Sequence, residues 1–404
     1  MSKFPPVNEQ INLIRRGVDE IIPEDDLVIR LEKSISSGKP LIVKLGCDPS
    51  RPDLHIGHAV VLRKLRHFQD LGHQAVLVIG DFTAMIGDPS GRNKTRPQLT
   101  IEEVRGNGKT YVDQASAILN IKTLRIVYNS EWLSVMSFQE VIKLASHYTV
   151  ARMLERDDFE KRYKNNTPIS IHEFLYPLAQ AMDSVQLKAD VELGGTDQKF
   201  NLLVGRDLQR DYGQNPQLVI TTPLLEGTDG VKKMSKSYDN YIGITENPND
   251  MYGKTMSVPD HLIAPYFECV TDINQEELEK IKMQLSDKSG NPRDLKRKLA
   301  RAIVSLYHTK EAAIEAEKHF DQLFIHKGLP DEIDTYKPSS NPVQILNLMV
   351  DSGLVTSKRE ARRLIEQGAV KINGEKITDI NFVLLIDQEV VLKVGKRRFL
   401  KVIV

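Results

Sequence analysis

One stretch near the N-terminus restricts the fold of this chain more than any other. Residues 41–46 (LIVKLG) are a short apolar run that predicts a buried strand. Residues 59–71 carry apolar side chains at helical spacing and are followed by Gly72, a natural helix end, and residues 75–79 are a second apolar run. A strand, a helix and a strand in such close succession predict a βαβ unit with parallel strands.

The chain has 404 residues, which favours two or three domains over a single core. Further apolar runs at 123–128 and 218–221 continue the α/β pattern, so we expect a Rossmann-like parallel-sheet domain over residues 1–245. Residues 246–325 are heavily charged and have helical spacing. They predict an α-helical domain after the α/β domain.

The C-terminal part has a different composition. Residues 326–342 contain three prolines among polar residues, which predicts a linker. Residues 343–404 predict two amphipathic helices followed by short strands around the turn Asn373-Gly374. We therefore expect a small α+β domain at this end.

Composition excludes several classes of protein. No run of eighteen apolar residues is present, so we expect no membrane span, and the first residues lack the apolar core of a secretory signal. Cys47 and Cys269 do not form a pairing pattern, which favours the cytoplasm and argues against a structural disulfide or metal site. A formal net charge of zero argues against nonspecific coating of nucleic acid but allows a local basic face.

Two short motifs carry the phosphate chemistry. A GxGxxG fingerprint and a GxxxxGK[ST] loop are both missing, which argues against a dinucleotide enzyme and a P-loop enzyme. Instead, His55-Ile56-Gly57-His58 opens the first helix, where imidazoles can donate to phosphates and Gly57 leaves room for a flat ring. Residues 233–237 (KMSKS) supply two lysines and two hydroxyls suited to a polyphosphate clamp. Taken singly, they could be a surface turn and an ordinary basic loop.

Together, HIGH and KMSKS resemble the paired signatures of class I aminoacyl-tRNA synthetases. The resemblance implies an aminoacyl adenylate made from an amino acid and Mg²⁺-bound ATP, with no tightly bound cofactor. In catalysis it implies phosphate contacts from His55 and His58 and a pyrophosphate clamp from Lys233 and Lys236. The ATP-binding residues that it further implies are Asp48, Ser50, Gly57, Arg92, Arg96, Asp197, Ser235 and Ser237.

Three other segments, at 80–91, 176–183 and 194–198, resemble the tyrosyl-tRNA synthetases. The resemblance implies that Asp88 holds the ammonium group and that Asp183 accepts the phenolic OH. The full set of tyrosine-binding residues that it implies is Thr83, Asp88, Asn129, Tyr176, Gln180, Asp183 and Gln198. Tyr176, Gln180 and Asp183 share one helical face, and in isolation they would be an ordinary polar stripe.

One position departs from that family. Many members have a tyrosine in the first strand where this chain has Lys44, and the KMSKS spelling is closer to the general class I pattern. The departure fits a divergent branch of the tyrosyl family. It leaves open an altered specificity, such as tryptophan, and a noncatalytic RNA-binding paralogue.

The last domain resembles the S4-like RNA-binding module of bacterial tyrosyl enzymes. Lys358, Arg359, Arg362 and Arg363 fall on one predicted helix and are the candidate RNA-binding residues. A further basic group is formed by Lys393, Lys396, Arg397, Arg398 and Lys401. The expected partners are tRNA(Tyr), L-tyrosine and ATP, with a homodimer implied by the resemblance and the helical domain near the anticodon. The alternative is a solvated charged face.

Overall fold

The computed structural model describes residues 4–49, 54–89, 101–324 (101 and 102 as backbone only), 333–395 and 398–403. The chain divides into two compact units, Met1–Ile314 and Glu315–Val404. None of the helices in these described ranges is long and apolar enough to cross a membrane.

Among the described residues of the first unit, six strands form one sheet. They are β1 (Glu20–Ile22), β2 (Ile42–Cys47), β3 (Gln74–Ile79), β4 (Arg125–Tyr128), β5 (Val191–Gly195) and β6 (Leu218–Thr222). The order across the sheet is β1-β6-β5-β2-β3-β4, with β1 antiparallel and the others parallel. The expected α/β fold with a parallel sheet is confirmed. Sequence did not predict β5, because a glutamate and two glycines interrupt its apolar pattern.

Helices precede, connect and follow these strands along the chain. They are α1 (Val7–Arg15), α2 (Asp25–Ser37), α3 (Ile56–Asp70), α4 (Thr83–Ile86), α5 (Ile101–Ala115), α6 (Ser130–Leu133), α7 (Phe138–Ser146), α8 (Val150–Met153), α9 (Asp157–Lys164), α10 (Ile171–Leu187), α11 (Lys199–Asp211), α12 (Pro248–Met256), α13 (Ile263–Val270), α14 (Gln275–Ser286), α15 (Pro292–Tyr307) and α16 (Lys310–Phe324). The last of them, α16, crosses the boundary between the two units. A 3₁₀ turn at Lys236–Tyr238 lies in the KMSKS segment.

Helix α3 connects β2 to β3 and carries the HIGH motif at its start. Its buried side chains include Val60, Leu65 and Phe68, which share the helical face that the sequence predicts. The chain leaves the helix through Gly72, whose φ of 87° suits glycine. A helix in this position points its partly positive N-terminus at the carboxyl edge of the sheet, where a phosphate can bind.

Helix α10 supplies one wall of the site described below. Its first turn is closed by a reciprocal bond between Ser170 and Glu173, and its apolar side chains Leu178, Ala181 and Val185 belong to a buried cluster shared with α11. Such packing on one side fixes the rotation of the helix, and therefore the direction of its polar face.

The remaining helices of the first unit begin at clear sequence signals. Asn247 and Asn291 accept bonds from backbone N–H groups at the starts of α12 and α15, and each is followed by proline at the first helical position. Leu295, Leu299 and Ile303 form the buried face of α15. The helical pattern predicted for this stretch is present.

The second unit begins within α16 and combines two further helices with short strands. In its described part these are β7 (Thr335–Tyr336), β8 (Val343–Gln344), α17 (Ile345–Asp351), α18 (Lys358–Glu366), β9 (Val370–Ile372), β10 (Glu375–Ile377), β11 (Val383–Leu384), β12 (Val390–Val394) and β13 (Arg398–Val402). Asn373 and Gly374 join β9 to β10 with φ of 47° and 90°, as the predicted two-residue turn requires. Ile365, Val370 and Leu392 pack in one apolar core.

Candidate active site

A cavity of about 890 Å³ opens at the carboxyl edge of the first sheet. Its walls come from the ends of β2, β3 and β5, from the first turn of α3 and from one face of α10. The chain continues from β2 to β3 on one side and places β5 on the other, so the strand order reverses here. Open parallel sheets bind ligands at such a reversal.

The structure brings the predicted site residues together. The cavity is lined by Asp48, His55, Gly57, His58, Thr83, Asp88, Asn129, Tyr176, Gln180, Asp183, Asp197, Gln198, Lys233, Ser235, Lys236 and Ser237. Three other predicted ATP contacts, Ser50, Arg92 and Arg96, lie outside the described residues. Residues from distant parts of the sequence therefore line one cavity. We call the part around Asp183 its amino-acid end, and the part around His55 and the KMSKS segment its phosphate end, after the roles that the sequence predicts for them.

Asp183 lies at the amino-acid end, where it is only 2% exposed. Its Oδ1 accepts a hydrogen bond from the indole N–H of Trp132 at 2.9 Å, and its Oδ2 accepts one from the amide of Asn129 at 3.4 Å. Burial raises the pKa of Asp183 to about 7, although the charge of Lys44 and these two donors oppose the shift. A carboxylate has about four lone-pair positions, so it can still accept from a phenolic OH.

Asp48 stands beside this group at the end of β2. It accepts hydrogen bonds from the hydroxyls of Thr83 at 2.7 Å and Tyr176 at 2.9 Å, and Thr83 in turn accepts from Asn129 at 3.1 Å. A Cβ added to Gly80 would lie 2.0 Å from the Asp48 carboxylate, so only glycine allows this close approach. These bonds hold Tyr176 in place from its hydroxyl end.

A chain of amides leads to Asp88. Gln198 donates to Asp88 at 3.0 Å, and Asn201 donates both to Gln198 at 3.0 Å and to the side-chain oxygen of Gln180 at 3.1 Å. The buried guanidinium of Arg156 lies 3.6 Å from the same carboxylate. The site thus offers two oxygen acceptors, on Asp88 and Gln180, within one bonded network.

The two histidines of the first motif contact each other. His55 precedes α3, its backbone N–H donates to His58 Nδ1 at 3.3 Å, and the two ring centroids are 3.8 Å apart. A Cβ on Gly57 would lie 2.9 Å from the His55 ring, so the glycine makes room for that ring. Burial, and secondly neighbouring charges including Lys236, lower the pKa of His55 to about 2. The pKa of His58, whose side chain is more exposed, is also lowered, by partial burial and by the charges of Lys236 and Lys233. At neutral pH each ring is uncharged and carries one N–H donor.

The KMSKS segment forms the opposite wall of the phosphate end. Lys233 pairs with Asp197 at 3.3 Å, although both side chains are partly exposed. Ser235 caps the following 3₁₀ turn by accepting from the backbone of Ser237, and its own N–H donates to Asn240 at 2.7 Å. The backbone is therefore anchored while the lysine amines extend towards the cavity.

Position 44 does not line the cavity. Strand β2 contributes Leu45, Gly46 and Cys47 to the described lining, whereas Lys44 is fully buried and pairs with Glu192 at 3.1 Å. Sequence reasoning did not predict this pair, or the contacts of Trp132 and Asn201 to the site. Asn201 follows Gln198 by one helical turn, which was the available signal, and Trp132 is the one tryptophan in the sequence.

The predicted RNA-binding residues lie in the second unit. On α18, Lys358, Arg359, Arg362 and Arg363 are all exposed, while Ala361 and Ile365 face the core. Of the second basic group, Lys393 and Lys401 are half-buried and Arg398 is exposed, and it pairs with Glu360 at 3.1 Å. Lys396 and Arg397 lie outside the described residues.

Two family models match the chain. The one described as "tRNA synthetases class I (W and Y)" matches residues 36–325, and the one described as "Tyrosine--tRNA ligase SYY-like C-terminal domain" matches residues 324–402. Together the two models match residues 36–402.

Full-length relatives agree with the models. The tyrosine–tRNA ligase of Salinibacter ruber is 58% identical over 404 residues, covering 99% of this chain and 97% of the relative. That of Chlorobaculum tepidum is 56% identical over 400 residues, covering 99% and 98%. Among solved structures, the tyrosyl-tRNA synthetase complexed with L-tyrosine from Archaeoglobus fulgidus matches with a TM-score of 0.63 at 23% identity, covering 77% of this chain and 99% of that one. At 23% sequence identity, this structural match supports the fold alone.

Proposed function

This chain belongs to the class I tRNA synthetases and is a tyrosine–tRNA ligase, and we propose that the cavity at the sheet edge is where it activates tyrosine. The prediction of a tyrosine-activating enzyme is confirmed by the full-length relatives. They do not favour tryptophan activation or a noncatalytic RNA-binding role. ATP is the second substrate of the family.

The reaction has two steps. A carboxylate oxygen of tyrosine bonds to the α-phosphorus of ATP, while the bond from that phosphorus to the pyrophosphate breaks. A hydroxyl at the 3′ end of tRNA then attacks the carbonyl carbon of tyrosine, and AMP leaves. Phosphoryl transfer requires mainly positioning and stabilisation of negative charge. The protein side chains therefore act as donors and clamps. Mg²⁺ enters bound to the ATP phosphates, as part of the substrate.

The amino-acid end gives the specificity for tyrosine. Asp183 accepts the phenolic OH, and its buried position between Trp132 and Asn129 is the observation that carries this assignment. A site built to bond a hydroxyl rejects the analogue without it, and tyrosine-selecting synthetases are the standard example of this rule.

The ammonium group of tyrosine lies among the acceptors at the other end of the same network. Asp88 and the side-chain oxygen of Gln180 are joined through Gln198 and Asn201, so they are held at a fixed separation. Tyr176, fixed through its bond to Asp48, lines the same region. The substrate is thus held at both ends.

The phosphate end acts on ATP. Neutral His55 and His58 donate to phosphate oxygens from the start of α3, and the helix dipole adds to their effect. Lys233 and Lys236, with the hydroxyls of Ser235 and Ser237, bind the departing pyrophosphate. Asp48, Gly57 and Asp197 contact the nucleoside part of ATP.

The basic face of α18 binds tRNA. Its four exposed cations are the contacts for RNA phosphates, and the helical stretch at 246–325 approaches the anticodon region. Replacement of all four cations by glutamine is expected to weaken tRNA binding and its salt dependence while leaving adenylate formation unchanged. An unaltered tRNA affinity would contradict this assignment.

We also place the enzyme in the cytoplasm as a homodimer. Its cysteines Cys47 and Cys269 are free thiols, as expected in a reducing compartment. The segment from the end of β4 to the first residue of α10 exposes apolar side chains, each at least 56% exposed: Val135, Phe138, Ile142, Val150, Tyr163 and Ile171. Such surfaces mark association sites, and a twofold dimer is the commonest solution. Sedimentation at the monomer mass of 45.8 kDa would contradict it.

Amino-acid-dependent ATP–pyrophosphate exchange tests the function directly. Tyrosine, phenylalanine and tryptophan are compared with the same enzyme preparation. We expect exchange with tyrosine alone, because only its hydroxyl satisfies Asp183. Exchange that is stronger with another amino acid, or absent with all three, would overturn the assignment.

A further inference from the structure

A buried ion pair lies directly behind the amino-acid end of the cavity. Lys44 on β2 and Glu192 on β5 are partners in the parallel strand register, and their side chains meet at 3.1 Å. Both side chains are 0% exposed. The free energy needed to remove two charges from water can exceed the attraction between them, so a buried ion pair does not by itself stabilise a fold. Its presence here therefore calls for another role.

The pair is fully bonded. Lys44 has three protons, and the amine contacts three acceptors: Glu192, the hydroxyl of Ser184 at 2.6 Å and the backbone carbonyl of Gln180 at 3.0 Å. Glu192 accepts in addition from Ser184 at 3.1 Å and from the amide of Gln217. Because both charged groups of the pair are bonded in this way, one arrangement of the Lys44 and Glu192 side chains is favoured over others.

One further hydrogen bond links this buried network to a side chain that lines the cavity. The side-chain amide of Gln180, which lines the cavity, donates to Glu192 at 3.2 Å. An ionised carboxylate can only accept hydrogen bonds, so the amide nitrogen of Gln180 must point towards it. The amide oxygen of Gln180 therefore points away from Glu192, where it accepts from Asn201 and joins the network that leads to Asp88.

We propose that Lys44 and Glu192 are a positioning pair for substrate recognition: Glu192 fixes the amide of Gln180 with its oxygen towards the ammonium group of tyrosine, and Lys44 balances the buried charge of Glu192. The pair acts through Gln180 and does not touch the substrate. This role depends on the proposed tyrosine site. It gives Lys44 a function at a position where many tyrosyl enzymes have a tyrosine.

The test replaces both charges together, with Lys44→Met and Glu192→Gln in one chain. Removing both avoids leaving a single charge buried without a partner. A glutamine at 192 can either donate or accept, so it no longer dictates the direction of the Gln180 amide. In tyrosine-dependent pyrophosphate exchange we expect the KM for tyrosine to rise about tenfold, because contacts made equally in ground and transition states affect KM. The KM for ATP and kcat should stay within about twofold.

An analogue separates positioning from general damage. The compound 3-(4-hydroxyphenyl)propanoate has the phenol and carboxylate of tyrosine without the amino group. It does not use the Gln180 oxygen, so at pH 9, where Asp183 is ionised with or without the nearby charge of Lys44, its inhibition constant should be the same in the double variant and the wild type. Equal weakening of tyrosine and this analogue would overturn the proposal.

A second buried ion pair provides a matched control. Arg162 and Glu173 are paired at 2.5 Å, are 3% and 2% exposed, and involve the same helix, α10. The double variant Arg162→Met with Glu173→Gln is expected to lower the melting temperature without changing the KM for tyrosine. A rise in KM as large as that of the Lys44 and Glu192 variant would mean that loosening α10 is sufficient, and would overturn the proposal.

The remaining outcomes are also decisive. An unchanged KM for tyrosine in the Lys44 and Glu192 variant contradicts the positioning role, whereas wild-type enzyme without tyrosine-dependent exchange contradicts the function itself. If the double variant does not fold, Glu192→Asp replaces it, because it keeps a carboxylate for Lys44 but withdraws that carboxylate from the amide of Gln180, and it is expected to give the same selective rise in KM.

Discussion

The amino-acid end and the phosphate end of the cavity are built differently. At the amino-acid end, Asp183 and Asn129 are buried and bonded to neighbours on separate elements of the fold. At the phosphate end, the side chain of Lys233 is 49% exposed, and its pair with Asp197 is also open to solvent. Exposed pairs of this kind contribute little to stability.

The difference corresponds to two tasks. Recognition of a hydroxyl requires groups that cannot rearrange for a wrong substrate, which burial and a complete network provide. Stabilisation of a leaving pyrophosphate requires cations that reach their target as charge develops. Lys233 can exchange Asp197 for a phosphate at low cost, because the pair it leaves is weak. The following four predictions test whether the two ends are separable.

The largest expected effect is at the phosphate end. Lys236→Ala should lower kcat for adenylate formation by about 100- to 1,000-fold, because it removes a cation that stabilises charge in the transition state. Tyrosine affinity should change less than about twofold, since the amino-acid network is intact. Affinity can be followed by the fluorescence of Trp132, the one tryptophan in the sequence, which contacts Asp183.

Lys232→Ala is the matched control for that experiment. Lys232 precedes the motif, and its amine lies 4.6 Å from the ring centroid of Tyr238. We expect this variant to retain wild-type exchange. A Lys236→Ala enzyme that loses tyrosine binding and adenylate formation to the same degree would show that the two ends are not separable.

At the amino-acid end, Asp183→Asn should lower kcat/KM for tyrosine by about 10- to 100-fold, since a hydrogen bond to a charged group contributes roughly 1.5–3 kcal/mol. The preference for tyrosine over phenylalanine should fall with it, while the KM for ATP stays constant. Pyrophosphate exchange with both amino acids measures the ratio.

Asp81→Asn controls for the loss of a buried carboxylate in the same unit. Asp81 is fully buried and bonds to the backbone and hydroxyl of Ser130. Its substitution should lower stability and leave the ratio of tyrosine to phenylalanine unchanged. A wild-type ratio in the Asp183→Asn enzyme would remove Asp183 from the specificity site.

The third prediction concerns pH. The pKa of Asp183 is about 7, because burial and Glu192 on β5 raise it more than Lys44 on β2, Trp132 and Asn129 lower it. The carboxylate that accepts the phenol is therefore mostly lost one unit below pH 7. The KM for tyrosine should rise about tenfold from pH 8 to pH 6, while the KM for ATP stays nearly constant.

His55 and His58 do not contribute to the change in KM between pH 6 and pH 8. The pKa values of His55 and His58 are lowered to about 2 and about 4, so neither ring titrates between pH 6 and pH 8. The Asp183→Asn enzyme serves as the reference, and its KM for tyrosine should be flat across the range. The same tenfold rise in that variant would assign the titration to another group.

Sequence alone predicted more of the residues that line this site than of the residues that hold them in position. The spacing of Tyr176, Gln180 and Asp183 placed them on one helical face, because periodicity depends only on local geometry. It could not say whether that face was buried, since burial depends on what packs against the helix. The pairing of Lys44 with Glu192 was equally out of reach, because it depends on β2 and β5 being neighbours, and β5 lacks a continuous apolar run.

Substitution of Trp132 is expected to have the smallest of the four effects, and it tests most directly how the amino-acid end holds Asp183. Trp132→Phe keeps an aromatic ring and removes the N–H that donates to Asp183 at 2.9 Å. Loss of this donor should weaken tyrosine binding by about fivefold, the equivalent of one typical hydrogen bond.

Loss of the indole donor should also raise the pKa of Asp183 further, because that hydrogen bond favours the charged carboxylate. The rise in KM on acidification would then begin at a higher pH than in the wild type, and the difference between the two enzymes should shrink as the pH increases. A uniform loss of affinity at every pH would instead mean that the indole acts by packing alone, and that Asn129 and Lys44 are sufficient to keep Asp183 ready for the phenol.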